Sequence, residues 1–181
     1  MVYMACAMMG ALSVACSSQA GKGSENKTTA QADSVQANAP QAMQSSLVHE
    51  DITFEGKSYH TTVLRRPDKT LPVVTNEQGE QFFDNRIKLR VERENRILVD
   101  FDFTKEDFSA WVDKRFLHYA ILEAIVFNEV TPSGLAFSAS VCYPQTDLYM
   151  PLRITVKANG TMVIEREDLE ETPAFGTDSL S

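Results

Sequence analysis

Cysteine is scarce in this chain, with three in 181 residues, and tryptophan is scarcer still, with one. Cys6 and Cys16 lie near the start, so Cys142 has no partner within the folded part, which predicts a core held together without disulfides. Positive charge is also in short supply. The formal net charge is -8, and six acids (Glu165, Glu167, Asp168, Glu170, Glu171, Asp178) stand against Arg166 alone, leaving the remainder near -3. A chain with no broad basic surface is a poor partner for nucleic acid and for anionic lipid headgroups. No apolar run reaches the ~20 residues of a membrane-spanning helix. Signature motifs of catalysis are missing too: there is no Walker loop, HExxH, GxSxG, CxxC or dinucleotide fingerprint in a plausible context. Ser24-Glu-Asn-Lys27 fits S-x-x-K, but no helix pattern or companion motif accompanies it. Nothing in the residues calls for a cofactor.

What is present begins with Val2 to Ala15, an uncharged apolar run too short to cross a bilayer and suited to a signal peptide. It ends at Leu12-Ser-Val-Ala-Cys16, where small side chains precede a cysteine. The bland alternative is an apolar segment with an incidental thiol. The stretch resembles a bacterial lipoprotein lipobox. That resemblance implies cleavage before Cys16, diacylation of its sulfur and acylation of the new amine by palmitate-like chains. The first basic residue is Lys22, so a start codon further upstream would supply the usual positive head. Residues 16–46 then carry no aromatic side chain and little apolar bulk beyond Val35 and Met43, which predicts a disordered tether with an r.m.s. span of about 30 Å.

From Leu47 the pattern has period two, the mark of half-buried strands. Glu55-Gly56 is the expected first hairpin turn, with Ile52, Phe54 and Tyr59 on one face. His49, Asp51 and His60 gather on the other, the right groups for a metal but equally three solvated polar residues. Ile87, Leu89 and Val91 alternate with charged residues, as do Ile97, Val99, Phe101 and Phe103. A three-residue loop at Arg93-Glu94-Asn95, with Asn95 left-handed, would pair Val91 with Ile97 and set Lys88 across from Asp100 and Arg86 across from Asp102. The two carboxylates could suggest acid/base work, but each has a basic neighbour.

Thr104 is the expected cap of a helix running to about Phe116 that lays Trp111 on the sheet. Ile121 to Val130 reads as a central strand because it is apolar on both sides. Leu135 to Tyr143 returns from it, with Cys142 on the less apolar face as an inert thiol. Tyr143-Pro144-Gln-Thr-Asp-Leu-Tyr149-Met-Pro151 is a stiff loop suited either to contact a partner or to close one end of the sheet. Asn159-Gly160 marks the last hairpin, and residues 167–181 form an acidic tail.

The run from Phe103-Thr-Lys-Glu-Asp-Phe108 through Ile121 to Phe127, Phe137 to Asp147 and Pro151-Leu152 to Asn159-Gly160 resembles small uncharacterised lipoproteins of Bacteroidetes. The resemblance covers most of residues 47–166 and implies an envelope address and a domain of unknown function, with no catalytic residues. The expectation is thus a signal peptide at 1–15, a lipidated Cys16 with its tether at 16–46, a single β-rich domain at 47–166, and the tail. The fold class is mainly β: about eight or nine antiparallel strands in an open meander, small barrel or sandwich, with one packed α-helix. Function is read as a non-enzymatic binding or assembly module in the cell envelope, anchored by lipid to the outer membrane. Its partner would be an envelope protein or small ligand, with Trp111, Tyr143 and Tyr149 as contact residues. The alternatives are a hydrolase using His49, Asp51 and His60 or Asp100 and Asp102, and a purely structural lipoprotein.

Overall fold

A computed structural model describes residues 39–167. The segment read as a signal peptide, Cys16, most of the expected tether and nearly all of the acidic tail lie outside the described residues.

Alternating sequence becomes two four-stranded antiparallel sheets. The first has the order β1-β2-β5-β6, built from Ser46–Phe54, Lys57–Pro67, Asn85–Arg93 and Arg96–Phe103. The second has the order β7-β8-β9-β10, from Ile121–Thr131, Gly134–Cys142, Tyr149–Val156 and Met162–Arg166. A two-residue pair, β3 (Val74–Thr75) with β4 (Gln81–Phe82), is inserted between β2 and β5. The inner faces of both sheets meet in one core: Val63, Ile87, Leu89, Val91 and Phe103 from the first, Leu122, Leu135, Phe137, Val141, Leu152 and Ile154 from the second. The inward-facing rows of both sheets therefore have one destination, and the sheets do not close into a barrel.

The first hairpin follows the sequence closely. Glu55 and Gly56 both take positive φ (50° and 69°), and Ile52 pairs with Tyr59. The β5–β6 hairpin does not. Its loop is Glu94-Asn95, two residues with φ of 49° and 65°, and Val91 sits opposite Val99, not Ile97. A two-residue loop alone would turn the wrong face of β6 inward. An extra residue, Leu98, makes a bulge that restores Val99 and Phe103 to the core and leaves Ile97 exposed. Lys88 then faces Asp102, and Arg86 pairs with Asp68 instead.

Two further expectations are corrected. The helix after Thr104 is a 3₁₀ turn, Lys105–Phe108, followed by a break and a six-residue helix α1, Lys114–Tyr119. Asp107 locks the first piece by accepting from the Thr104 N–H (2.7 Å) and hydroxyl (3.0 Å), and Asp113 starts the second by accepting from the Arg115 N–H (2.8 Å). Two caps in quick succession divide what the apolar spacing alone joins. The strand at Ile121–Thr131 exists but is an edge, and β8 and β9 are the inner strands. Ile121 and Leu122 are buried on opposite sides because one packs with Val74, Phe82 and Cys142 while the other enters the main core.

The end of the segment read as tether already lies against the domain: Gln41 bridges to Phe82, and Met43 packs against the smaller apolar cluster. Among the described residues, no helix is long and apolar enough to cross a membrane.

Candidate functional site

Where the two sheets fail to close, β6 and β10 run as facing edges and leave a groove of ≈ 400 Å³. Its walls are Phe101 and Phe103 on β6, Met162, Val163 and Ile164 on β10, and Trp111 with Asp107 from the capped segment. Each is there for a local reason. The bulge at Leu98 sets the phase of β6, so Phe103 is fully buried and Phe101, 39% exposed, stands edge-on to it at 4.6 Å. Phe108 stacks on Phe103 (5.7 Å), which fixes the turn that carries Trp111. One end is pinned: Arg93 Nη1 donates to the Ala158 carbonyl (2.9 Å), and a Cβ at Gly160 would lie 2.8 Å from the Leu98 carbonyl oxygen. Glycine with φ of 86° thus lets the β9–β10 turn abut β6 while the strands part beyond it.

The groove is mostly apolar. Its one charged group, Asp107, is occupied by Thr104, and no lining side chain leaves a buried polar atom unpaired. A volume of this order falls in the ~300–1,000 Å³ range of small-molecule sites.

A larger hollow of ≈ 590 Å³ lies at the hairpin end of the first sheet, lined by Asp51, Tyr59, His60, Glu92 and Glu94 among others. Here the structure brings together the histidines and carboxylate singled out above. Asp51 and His60 are in register and bonded (Nδ1 to Oδ1, 2.8 Å), and the rings of His49 and His60 stack at 5.5 Å. His49 Nδ1, however, is engaged with the Thr62 hydroxyl (3.0 Å). Among the described residues no three His, Cys, Asp or Glu side chains converge in a way that could hold a metal ion. The smaller groove, with side-chain walls that are apolar apart from Asp107, is the better shaped for a small apolar molecule.

Asp100 and Asp102 do share a face, clamped by Lys88 Nζ at 2.7 and 2.9 Å, with Arg90 also on Asp100 at 3.2 Å. Hydrogen bonding from Lys88 holds the Asp100 carboxyl below its ordinary range, and the Arg90 guanidinium does the same for Glu92. Carboxylates held ionised in this way are poor proton donors. Cys142 is buried, and burial first, then the nearby Glu123 carboxylate, pushes its thiol up to about 12. At neutral pH it stays protonated and unreactive.

The three aromatic candidates do not form one site. Trp111 lines the groove. Tyr143 stacks on Phe116 (4.5 Å) and meets Tyr119 (6.1 Å), closing the end of the second sheet beneath α1. Tyr149, 47% exposed, stands apart at the start of β9. Sequence reasoning missed Phe101, Met162 and Ile164 as groove walls, because each reads as an ordinary alternating strand residue. It also missed a buried charge pair. Asp84 accepts from the Leu122 N–H (2.9 Å) and its carboxylate lies 3.5 Å from Lys105 Nζ, which donates to the Ala120 carbonyl (2.7 Å). Burial pushes the Asp84 carboxyl up against the downward pull of Lys105.

The fold and groove define a small two-sheet β domain with an open seam. Residues 25–164 match the family model for a domain of unknown function, DUF4738, and the chain belongs to that family. No curated protein matches it.

Proposed function

We propose that this domain is a non-enzymatic binding module, held at the cell envelope by an acylated Cys16, that takes a small apolar ligand in the groove between β6 and β10. The observation that carries the reading is the groove itself: aromatic and aliphatic side-chain walls, Phe101 partly open to solvent, and no buried side-chain polar atom left unpaired along them. Burial of apolar surface is then the main source of affinity, at about 25 cal/mol per Å² before the costs of association. The lipobox-like run at residues 12–16 supports the envelope address, and the acidic balance favours attachment by lipid over attachment by charge.

Trp111 is the chain's one tryptophan, so its fluorescence reports on this groove alone. Titration with 1-anilinonaphthalene-8-sulfonate is expected to give saturable energy transfer from Trp111. Phe101→Asp and Ile164→Asp should each weaken it at least about tenfold, equivalent to ~1.4 kcal/mol. Tyr149→Ala should leave it unchanged. A correctly folded protein with no saturable transfer, or one in which Tyr149→Ala and Phe101→Asp act alike, would refute the reading.

A further inference from the structure

Among the described residues the two four-stranded sheets leave four edges, on β1, β6, β7 and β10, and three of them are defended against pairing with another strand. β6 is bulged at Leu98, β7 is interrupted after Leu122 and after Phe127, and β10 is five residues long. Bulges and shortness are the usual devices that blunt an edge, along with lysine and proline. β1 has no bulge, lysine or proline and is not short; its one such device is a single charge, Glu50, on the core-facing side with Ile52 and Phe54. It runs nine residues, Ser-Leu-Val-His-Glu-Asp-Ile-Thr-Phe, in unbroken register with β2, and its Leu47 and Val48 are 57% and 46% exposed.

We propose that this edge pairs with the same edge of a second copy, antiparallel about a two-fold axis, so that two four-stranded sheets become one continuous sheet. The first hairpin fixes which groups are available. Phe54 and Lys57 close a two-residue loop with two left-handed residues, and such a closing pair exchanges both of its backbone hydrogen bonds. Counting back by twos, the even residues of β1 bond to β2, and Leu47, His49, Asp51 and Thr53 direct their N–H and C=O groups outward.

The choice of a second copy over a foreign strand rests on self-complementarity. A two-fold axis perpendicular to the sheet keeps both inner faces on one side, so odd residues must meet odd and even must meet even. With the axis at Glu50, His49 meets Asp51 twice, Val48 meets Ile52 twice, and the outward-facing odd residues form the hydrogen-bonded pairs. An axis at His49 or Asp51 opposes two like side chains and forms neither His–Asp pair. The Glu50 register carries one cost, the two Glu50 carboxylates facing each other on the axis.

Sedimentation velocity of the full chain in mild detergent, over a concentration series, tests this. The expected result is a reversible dimer. His49→Pro should make it monomeric while far-UV circular dichroism is unchanged, because the lost N–H faces outward and proline is tolerated at such edge positions. Glu50→Gln should tighten the dimer severalfold by removing the like-charge pair. Should His49→Pro disturb the fold, Asp51→Lys, which puts lysine on the edge and breaks both His–Asp pairs, must give the same monomer. A wild-type chain that stays monomeric throughout, or a dimer indifferent to both His49→Pro and Asp51→Lys, overturns the proposal.

Discussion

Asp68 shows how a single side chain in this domain is tuned by its neighbours. Its carboxylate accepts from the Thr70 hydroxyl (2.6 Å), the Thr70 N–H (2.9 Å) and Arg86 Nε (2.7 Å). The hydroxyl bond first, then the guanidinium, lowers its pKa from the ordinary carboxylate value to about 2. A carboxyl whose folded value lies below its unfolded one adds stability above the unfolded value, and that contribution is lost as pH falls through the folded value. The window here is from about 4 down to about 2. Carbon-detected NMR titration should place the Asp68 midpoint near 2, and Thr70→Ala or Arg86→Ala should each raise it toward ~3.9. A midpoint near 4 in the unaltered chain would show that these contacts do not form. None of this is visible in Arg65-Arg66-Pro67-Asp68, where the sequence signals a strand break and nothing about a partner on β5. At the His49, Asp51 and His60 face the sequence says more, because one two-residue turn determines the register of every residue beyond it.

Elements were legible to the extent that their cause is local. Glu55-Gly56 and Asn159-Gly160 carry their turn chemistry in the turn itself, and strand alternation carries burial. The β5–β6 register was not legible, because Leu98 is an apolar residue in an apolar strand and only the position of the core shows that it is the extra one. Nor was the edge position of β7, since burial on both sides normally means a strand flanked by two others. Here it arises from the way that β7 starts between two clusters, held there by Asp84 and Lys105. That pair joins three elements: Asp84 precedes β5, Lys105 opens the 3₁₀ turn, and their partners Ala120 and Leu122 flank the first residue of β7. Removing one member of such a pair leaves the other charge buried and unpaired. Asp84→Ala is therefore expected to cost ~3–5 kcal/mol, read as a fall in the urea midpoint. Adding Lys105→Met should recover a large part of that loss. If the double variant is as unstable as the sum of the singles, the two side chains are not coupled.

For the whole molecule, the groove could not have been read from the sequence, since Phe101 and Ile164 belong to different sheets and meet only because those sheets stay open along one seam. Trp111 stood out by its aromatic spacing as a residue laid on the sheet, and it lies on the groove wall. The same openness bears on the proposed anchor. A small ligand site and a free β1 edge both need access to their surroundings, and Gln41 and Met43, docked on the domain, mark where a tether from Cys16 would end. If the stretch between Cys16 and Gln41 is the tether its composition predicts, twenty-odd residues would give an r.m.s. reach of about 25–30 Å, enough to hold the domain clear of a bilayer surface. The proposed anchor relies on acyl chains, and one chain alone binds only marginally, at about 10⁴ M⁻¹. That anchor therefore requires lipid on both the sulfur and the amine of Cys16. In a bacterial host, wild-type chain should partition into the detergent phase with an intact mass that starts at Cys16 and carries acyl groups. Cys16→Ser should lose the acyl mass and the label from radioactive palmitate. An unacylated wild-type chain that keeps its first fifteen residues would leave the domain without its proposed anchor, while the groove and the edge would still be open to their own tests.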